Sequence, residues 1–376
     1  MGKDLAEPDW EPLTDGEVTA VLASYHRPGR AGAAEAVVTW RSPRPMSAAA
    51  LVSDGGATVA VKRHHRRVRT EAQLAAEHAF ASHLRARGLP VPAVCRTAAG
   101  RTTVADGEFV YEVHEMAAGI DLYREAMSWT PFASTGHARA AGAALARLHR
   151  AAAGFRRPAR PPAVLINSCC IITAADPLAE VAAIARRRPG LARYLAGRDW
   201  RGDLARHHLP VIRRTAPLLG ALGRRWGHGD WHPSNLTWDS ARPDAEVAAV
   251  FDFGLANRTF AVHDLAVALE RSTVAWLDLA ETGRAGVDAA AVDALLDGYQ
   301  SVRPLGPAEA RALPEVLPVA HLEYALSEIE YFADVVAAPA LADLAYDTYL
   351  VGHARWFAGP DGAAVLDHLR GRVPAG

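Results

Sequence analysis

Three polar residues in the second half of the chain have types and a spacing that suit phosphoryl transfer. Asp230 and Asn235 lie five positions apart in the segment His-Gly-Asp-Trp-His-Pro-Ser-Asn, and Asp252 follows in Phe-Asp-Phe-Gly. Transfer of a phosphoryl group from ATP requires a carboxylate that orients the acceptor hydroxyl, and an amide oxygen and a second carboxylate that hold Mg²⁺. The segment therefore predicts Asp230 as the catalytic base, with Asn235 and Asp252 as metal ligands.

The distribution of basic residues indicates which side chain binds the nucleotide phosphates. Lys3 and Lys62 are the two lysines of the sequence, and all its other cationic side chains are Arg or His. A compact ammonium suits the α- and β-phosphates of a nucleotide better than the wide planar fork of Arg. Lys62 ends the strand-like run Val-Ala-Val-Lys, so we predict that it binds phosphate, the alternative being a surface lysine. We expect Glu77, rather than Glu71, to fix Lys62 from an apolar face of the next helix.

Two further segments are expected to contact the nucleotide. His114, Glu115 and Met116 lie where the backbone would meet adenine, an interpretation that rests on their position in the chain. The loop Ser42–Ser47 between the first two predicted strands should cover the phosphates. This loop contains no Gly, so Ser47 or backbone N–H groups are predicted to contact the phosphates.

Three polar residues are expected to support the predicted catalytic base. His228 should pack and hydrogen-bond behind the loop, and His232 should help to orient Asp230. Asp264 precedes a helical run and suits a helix N-cap. A brace for the catalytic loop is the alternative role for Asp264.

A zinc site is the competing interpretation of the same loop. His228, Asp230 and His232 would face one side of a strand, and zinc accepts imidazole and carboxylate ligands. Gly229 and Pro233 disfavour a continuous strand through these positions. We therefore prefer the phosphoryl-transfer interpretation of the loop.

Two charged segments could either bind a ligand or form ordinary solvent-exposed structure. A helix predicted over Ala320–Val336 places Tyr324, Glu328 and Tyr331 near one another, and aromatic rings with a carboxylate can hold a cationic acceptor. The alternative, a solvated helix face, is the commoner arrangement. The basic run Arg63–Arg69 would attract an anionic substrate or form a solvated connector, and we expect the connector.

The secondary-structure elements that must position these residues divide the chain into a strand-rich N-terminal part and a helix-rich C-terminal part. Short turns separate strand-like runs at Glu35–Trp40, Ala48–Ser53 and Thr58–Arg63, and a hairpin is predicted from Arg101 to Val113. A loop is expected at residues 26–34 and a helix at residues 71–87. Later segments with helical periodicity are His137–Arg150, Leu178–Arg188, Ala291–Val302 and Ala320–Val336.

This order of elements predicts an α+β fold with two parts. We expect residues 1–116 to form a nucleotide-binding sheet with a helix, and residues 117–376 to hold the catalytic loop, metal site and acceptor pocket. Residues 155–210, rich in Arg and Pro, are the least predictable segment.

Bulk composition restricts partners and location. The formal net charge of −1 gives no strong field for nucleic acid or an anionic membrane, so neither is an expected partner. No apolar run approaches the roughly 20 residues of a membrane span, and the N-terminus lacks a signal-peptide core. The odd count of three cysteines favours a reducing compartment, so we expect a cytoplasmic protein. The oligomeric state is left open.

Together these motifs resemble the aminoglycoside phosphotransferase and choline kinase-like family, a branch of the protein-kinase-like fold. The resemblance extends from about residue 35 to residue 302, and Gly-Tyr-Gln at 298–300 looks like bacterial homoserine-kinase-like relatives. It implies a bilobal fold with a small N-lobe, an antiparallel sheet plus a helix, and a larger, mostly helical C-lobe. ATP would bind between the lobes, with Lys62 and Glu77 positioning its phosphates.

The resemblance and the residues predict an ATP- and Mg²⁺-dependent phosphotransferase acting on a hydroxyl of a small molecule. An antibiotic, another natural product or a metabolite is the expected acceptor, and antibiotic resistance is one possible role. One alternative is a kinase of Ser or Thr in a peptide of natural-product biosynthesis. Another is a nucleotide-binding pseudokinase, against which the presence of Asp230, Asn235 and Asp252 argues.

Overall fold

The computed structural model describes residues 8–25, 36–54 and 56–372. The loop expected at residues 26–34 lies outside these ranges, as does Glu35 at the start of the first predicted strand. Within the described residues, no helix combines the length and the apolar character that crossing a membrane would require.

A five-stranded antiparallel sheet forms the first part of the fold. In spatial order its strands are β1 (Val37–Arg41), β2 (Ala48–Asp54), β3 (Ala57–His65), β5 (Phe109–Glu115) and β4 (Thr103–Asp106). Helix α1 (Asp15–Ala23) covers one face, where Val18 and Leu22 pack against Val52 and Val61. Strand residues alternate between the two faces. Lys62 therefore points away from the core that contains Val61.

Helix α2 (Glu71–Ala86) connects the sheet to the rest of the molecule. It begins with a capping box in which Thr70 and Gln73 exchange hydrogen bonds, which satisfies backbone N–H groups at the helix start. Its buried face contains Phe80 and Leu84, which belong to the large core of the helical part. The predicted antiparallel sheet with one packed helix is confirmed.

The second part of the fold is mostly helical and contains two short, two-stranded antiparallel sheets. Strand β6 (Arg225–Gly227) pairs with β9 (Asn257–Thr259), and β7 (Leu236–Trp238) pairs with β8 (Val247–Val250). The helices are α3 (Thr135–Ala151), α4 (Pro177–Arg187), α5 (Pro189–Leu195), α6 (Trp200–His207), α7 (Leu209–Gly220), α8 (Ala261–Thr273), α9 (Leu279–Thr282), α10 (Ala289–Val302), α11 (Pro307–Val316), α12 (Leu322–Glu330), α13 (Pro339–Leu344), α14 (His353–Ala358) and α15 (Pro360–Gly371).

The helix predicted over Ala320–Val336 differs from the observed elements. Helix α12 ends at Glu330, and the chain continues as a π-helical segment, Tyr331–Val335. A periodic apolar pattern does not distinguish an α-helical turn from a wider π turn. Residues 155–210, where least was predicted, contain α4, α5, α6 and the start of α7. The boundary between residues 116 and 117 stays a prediction.

Helices α3 and α10 approach each other closely at two glycines. A Cβ at Gly142 would lie 2.0 Å from the carbonyl oxygen of Leu295, and one at Gly298 would lie 1.9 Å from that of Arg139. The Gly-Tyr-Gln motif therefore has a packing reason, because only a residue without a side chain fits between the two backbones.

We expect Gly298→Ala to destabilise the protein by about 1–3 kcal/mol, because the added methyl group forces the two helices apart. Urea unfolding followed by circular dichroism measures this change. Gly16→Ala is the matched control, since a Cβ at that position of α1 has no atom within 4 Å. Alanine there should be neutral or slightly stabilising. Equal unfolding midpoints for the two variants would contradict the packing argument.

Candidate active site

A cleft of about 320 Å³ lies between the sheet and the helical part. Several residues predicted from the sequence contribute to its lining: Ser47, Lys62, Glu77, His114, Glu115, Met116, Asp230, His232, Asn235, Asp252 and Tyr324. The other predicted residues lie elsewhere. His228 and Asp264 are buried behind the loop that carries Asp230, and Glu328 and Tyr331 are buried away from the cleft.

Lys62 and Asp252 form an ion pair across the cleft. The ammonium Nζ of Lys62 lies 3.0 Å from Oδ1 and 2.9 Å from Oδ2 of Asp252. Burial disfavours both charges, but their attraction outweighs it. The attraction between the two side chains raises the pKa of Lys62 and holds the pKa of Asp252 well below its usual range. Both groups are therefore charged at neutral pH.

The backbone at Asp252 adopts a strained conformation. Its φ of 57° lies in the left-handed region, which costs a residue with a Cβ about 1–3 kcal/mol. Two buried arginines hold the turn in place, because Arg69 and Arg160 each donate to the carbonyl oxygen of Gly254 at 3.0 Å. Phe253 packs against the ring of His228, with centroids 4.9 Å apart. The turn thereby presents the Asp252 carboxylate to the cleft.

The predicted ion pair between Glu77 and Lys62 does not form. Glu77 Oε1 instead accepts a hydrogen bond of 2.5 Å from Arg160 and lies 3.3 Å from Nε of Arg69. These two arginines are almost fully buried, and a buried charge requires a partner of opposite sign. Glu77 therefore supports the turn at Asp252 indirectly. The prediction was wrong because the sequence does not reveal that Arg69 and Arg160 pack against Glu77.

The solvated connector expected at Arg63–Arg69 is also wrong in part. Arg63, His64 and Arg69 are buried, whereas Arg66 and Arg67 between them are exposed. Arg69 turns inward because its guanidinium reaches the carbonyl oxygens of residues 164, 165 and 254.

Asp264 braces the loop that carries Asp230. Its carboxylate accepts hydrogen bonds of 2.7 Å from the backbone N–H groups of both His228 and Gly229, and lies 2.9 Å from His149 Nε2. Burial alone would raise the pKa of Asp264, but these partners lower it. The N-cap interpretation is wrong, because α8 begins at Ala261 and Phe260 occupies the N-cap position.

Asn235 and His232 complete the loop around Asp230. The Asn235 amide nitrogen donates to the backbone oxygen of Asp230 at 2.9 Å and to its Oδ2 at 3.2 Å. Burial lowers the pKa of His232 to about 3. The ring is therefore neutral, and its Nε2 accepts from the same amide at 3.1 Å. Because the nitrogen of Asn235 is used in the loop, its oxygen is the atom it can offer to a cation.

The zinc site considered for the loop does not form. His228 Nε2 lies 3.0 Å from the Phe251 carbonyl oxygen, and Nδ1 accepts from the backbone N–H of Asp230 at 3.2 Å. Both ring nitrogens are therefore used behind the loop. Of the described residues that could group around a metal ion, none belongs to this loop.

Arg271 contacts Asp230 and was missed by sequence reasoning. Its Nη1 reaches Asp230 Oδ1, and its side chain is 2% exposed. The guanidinium lies 5.1 Å from the ring centroid of Trp129 and 4.5 Å from that of Tyr324. A helical arginine is ordinarily a surface residue. The sequence of α8 gave no signal of this burial, because it contains several polar residues, although the structure buries every residue of the helix.

A second network that sequence reasoning missed lines the sheet side of the cleft. Glu112, opposite Lys62 in the register of β3 and β5, lies 3.0 Å from Nε2 of His64 and 3.1 Å from that of His114, and also contacts His78. Burial opposes the charge of Glu112, but the imidazoles keep its pKa well below its usual range. In sequence these histidines are scattered, and only the pairing of β3, β5 and α2 brings them together.

Of the three residues predicted to bind an acceptor, only Tyr324 lines the cleft. Glu328 is fully buried beside His321, and the Tyr331 hydroxyl donates to Asp9 at 2.8 Å and accepts from Trp10. The expected solvated helix face is wrong, because α5, α13 and the π-helical segment Ala345–Gly352 pack against α12. Tyr331 instead connects the segment containing Asp9 and Trp10 to the helical part through these two hydrogen bonds.

The loop Ser42–Ser47 contributes an arginine to the cleft. Arg44 donates to the carbonyl oxygen of Tyr123 at 3.2 Å, so its guanidinium crosses from the sheet to the helical part. Burial lowers the pKa of Arg44, which stays a cation. A Gly-free loop therefore brings a positive side chain to the cleft.

Comparison with known proteins identifies the family to which this site belongs. Residues 47–305 match the family described as a phosphotransferase enzyme family, and the match includes Lys62, Asp230, Asn235 and Asp252. The chain belongs to the phosphotransferase enzyme family. The resemblance inferred from the motifs is thus confirmed.

Several curated proteins are similar to this phosphotransferase-family chain. An uncharacterized protein of Deinococcus radiodurans is 31% identical over 255 residues, which cover 65% of this chain and 64% of the relative. A homoserine kinase of Azorhizobium caulinodans is 30% identical over 190 residues, or 50% of each protein. The chain thus spans between half and two thirds of the length of these relatives.

Solved structures of low sequence identity share the protein-kinase-like fold. An aminoglycoside phosphotransferase from Alicyclobacillus acidocaldarius has a TM-score of 0.53 at 19% identity, with 97% of both chains covered. A spectinomycin phosphotransferase, solved with ADP and spectinomycin, has a TM-score of 0.54 at 8% identity, with 96% of this chain and 98% of the other covered. The predicted α+β, protein-kinase-like fold class is confirmed.

We expect Asp264→Asn to destabilise the phosphotransferase-family fold by about 2–4 kcal/mol, because an amide replaces a buried carboxylate that accepts two backbone hydrogen bonds. Urea unfolding at neutral pH measures the change. Asp288→Asn is the control, since Asp288 caps α10 by accepting from Ala291, and Asn caps a helix equally well. A loss at Asp264 no larger than at Asp288 would refute the brace.

The stability difference between wild type and Asp264→Asn should depend on pH. Because the folded pKa of Asp264 is lowered, its charge stabilises the fold fully above the ordinary Asp pKa of about 3.9. The stability difference between wild type and Asp264→Asn should shrink as pH falls through the lower, folded pKa.

Proposed function

We propose that the protein transfers the γ-phosphoryl group of ATP, with Mg²⁺, to a hydroxyl of a small molecule. One observation carries this proposal: the Lys62–Asp252 ion pair, Asp230 and Asn235 line a single cleft. Phosphoryl transfer depends mainly on positioning and on neutralising the phosphate charge. A cationic side chain, two carboxylates and an amide in one cleft supply both.

The donor atoms fit Mg²⁺. Mg²⁺ prefers hard oxygen ligands such as carboxylates, and commonly takes only one or two from the protein. The Asp252 carboxylate is held ionised by Lys62. Asn235 lines the same cleft, and its backbone oxygen accepts from the N–H of Phe251, the residue before Asp252, at 3.1 Å. When bound, Mg²⁺ would neutralise phosphate charge. We assign Lys62 to the nucleotide phosphates, which it reaches by exchanging part of its contact with Asp252.

Asp230 is the proposed catalytic base. Arg271 contacts one of its carboxylate oxygens and Asn235 donates to the other, so the side chain is held in one orientation. A carboxylate fixed in this way can accept a hydrogen bond from an acceptor hydroxyl and aim its oxygen at the phosphorus. This positioning is the main catalytic contribution expected in phosphoryl transfer.

The nucleotide and acceptor are proposed to enter from different sides of the cleft. Ser47, His114, Glu115 and Met116 on the sheet side suit the nucleotide, with the boundary between the two lobes at residues 116 and 117. Tyr324 and Trp129, over the guanidinium of Arg271, form the opposite wall and suit the acceptor.

A small acceptor fits this cleft better than a peptide. Ligand pockets commonly have volumes of about 300–1,000 Å³, and about 320 Å³ is at the lower end of that range. Homoserine kinases are among the relatives, which supports a compact alcohol, either a metabolite or a natural product. Phosphorylation of an antibiotic, and hence resistance, is one role that this activity would allow. A cytoplasmic location fits the use of ATP.

The test is an ADP-release assay with Mg²⁺ and a panel of homoserine, choline, aminoglycosides, nucleoside antibiotics and Ser- or Thr-containing peptides. We expect turnover with a small alcohol, and Asp230→Asn should reduce kcat by about 10²- to 10⁴-fold with nucleotide affinity little changed. The reduction follows because the amide no longer accepts the proton.

The alternatives give different results in the same assay. Turnover with peptides alone would favour the peptide kinase. Nucleotide binding without turnover on any acceptor would favour the pseudokinase. An Asp230→Asn variant with wild-type kcat would remove Asp230 from the mechanism.

A further inference from the structure

A second group of titratable side chains lies behind the acceptor wall of the cleft. Glu270 comes from α8, His321 precedes α12, Glu328 lies in α12, and His353 begins α14. Their exposed fractions are between 0% and 5%, so all four are buried. None of them belongs to the cleft lining. We refer to these four residues as the Glu270 cluster.

The potential ligand atoms of the cluster converge. One atom from each of Glu270, His321 and His353 lies within 4.8 Å of the other two. His321 Nδ1 is 2.9 Å from Glu270 Oε1, and His321 Nε2 is 3.7 Å from Glu328 Oε2. A transition-metal ion binds nitrogen and oxygen at about 2.0–2.2 Å, which places its ligand atoms roughly 3–4 Å apart. The cluster is therefore close to coordination size.

Several polar atoms of the cluster lack a hydrogen-bond partner among the described residues. These atoms are Oε2 of Glu270 and both ring nitrogens of His321 and of His353. The contact between His321 and Glu270 is close enough for an ion pair but is not aligned as a hydrogen bond. Buried polar groups are almost always satisfied, because leaving them unpaired costs free energy. Such a concentration of unpaired atoms points to a bound group.

The surroundings favour an ion over an organic ligand. The His353 ring stacks on Trp276 with centroids 3.7 Å apart, and Trp129 and Tyr349 pack against His321. This packing encloses the cluster in aromatic rings, and none of the four residues lines the cleft.

The ligand types favour zinc over magnesium or calcium. Two imidazoles with carboxylates form a set that Zn²⁺ accepts in a four-coordinate site, whereas Mg²⁺ and Ca²⁺ prefer oxygen ligands. We propose that Glu270, His321 and His353 bind a Zn²⁺ ion. This proposal does not depend on the proposed phosphotransferase activity.

The site ties together three helices behind the cleft. Glu270 is the residue before Arg271, which contacts Asp230, and His321 packs edge-on against Trp129 and near Tyr324. An ion bound to α8, α12 and α14 would therefore hold the wall that carries Arg271. Its role is structural and positioning, since no cluster residue reaches the cleft.

The test is the zinc content of the full chain, purified without a histidine tag, after dialysis against a weak chelator. We expect about one zinc ion per chain by mass spectrometry. Removal of the ion with dipicolinate should lower the Tm, and Zn²⁺ but not Mg²⁺ should restore it. His321→Gln and His353→Gln should both lose the zinc and the response of the Tm.

His114→Gln is the matched control, because His78, Glu112 and His114 form another potential metal-binding group of similar composition beside the nucleotide cleft. This variant should keep the zinc. If the variants of the Glu270 cluster fail to fold, the Co²⁺-loaded wild type and His114→Gln decide the question. Both should show the visible absorption of a four-coordinate Co²⁺ site, with two imidazole ligands by X-ray absorption.

Two results would overturn the proposal. One is wild-type protein that holds no zinc and whose Tm does not respond to Zn²⁺. The other is zinc that persists in His353→Gln and disappears in His114→Gln, which would place the ion at the nucleotide cleft instead.

Discussion

The ion pair between Lys62 and Asp252 joins the two parts of the molecule at the site where chemistry is proposed. Lys62 reaches the cleft because the pleat of β3 turns it away from the core around Val61. Asp252 reaches it because a strained turn is held by Arg69 and Arg160 through the Gly254 carbonyl oxygen. Sheet, turn and helical part must therefore all be in place before the two charges meet. Under the proposed function, the Lys62 ammonium would give up part of its contact with Asp252 to bind a phosphate, and the Asp252 carboxylate would bind the metal ion.

Buried charges recur throughout the surroundings of the cleft, and each is paired across elements distant in sequence. Asp264 on α8 fixes the backbone of the loop at His228 and Gly229, and Arg271, two turns further along α8, contacts Asp230. One helix thus positions both the backbone and the side chain of the proposed base. Removing one member of such a pair leaves its partner charged and buried, which costs more than the pair itself contributes. We infer that α8 is the element whose displacement would most affect the cleft.

Residues with local signals could be predicted from the sequence, whereas partners chosen by packing could not. Asp230, Asn235 and Asp252 were selected because their spacing has a chemical reason, and Lys62 because the chain otherwise uses arginine; their roles stay predictions. The structure brings these four into one cleft. The pairing of Glu77 was wrong because two distant arginines compete for it, and Arg271 was missed because a helical arginine is usually exposed. The face of α12 was expected to be solvated, because its burial depends on α5, α13 and the segment Ala345–Gly352, which lie elsewhere in the chain.

The most direct test of this account is calorimetric titration of ATP into wild-type protein and Asp252→Asn, each with and without Mg²⁺. The account predicts that Mg²⁺ strengthens ATP binding to the wild type, and that this gain disappears in Asp252→Asn while metal-free binding persists through Lys62. ATP binding that is indifferent to Mg²⁺ in the wild type would contradict the account, as would an undiminished gain from Mg²⁺ in Asp252→Asn.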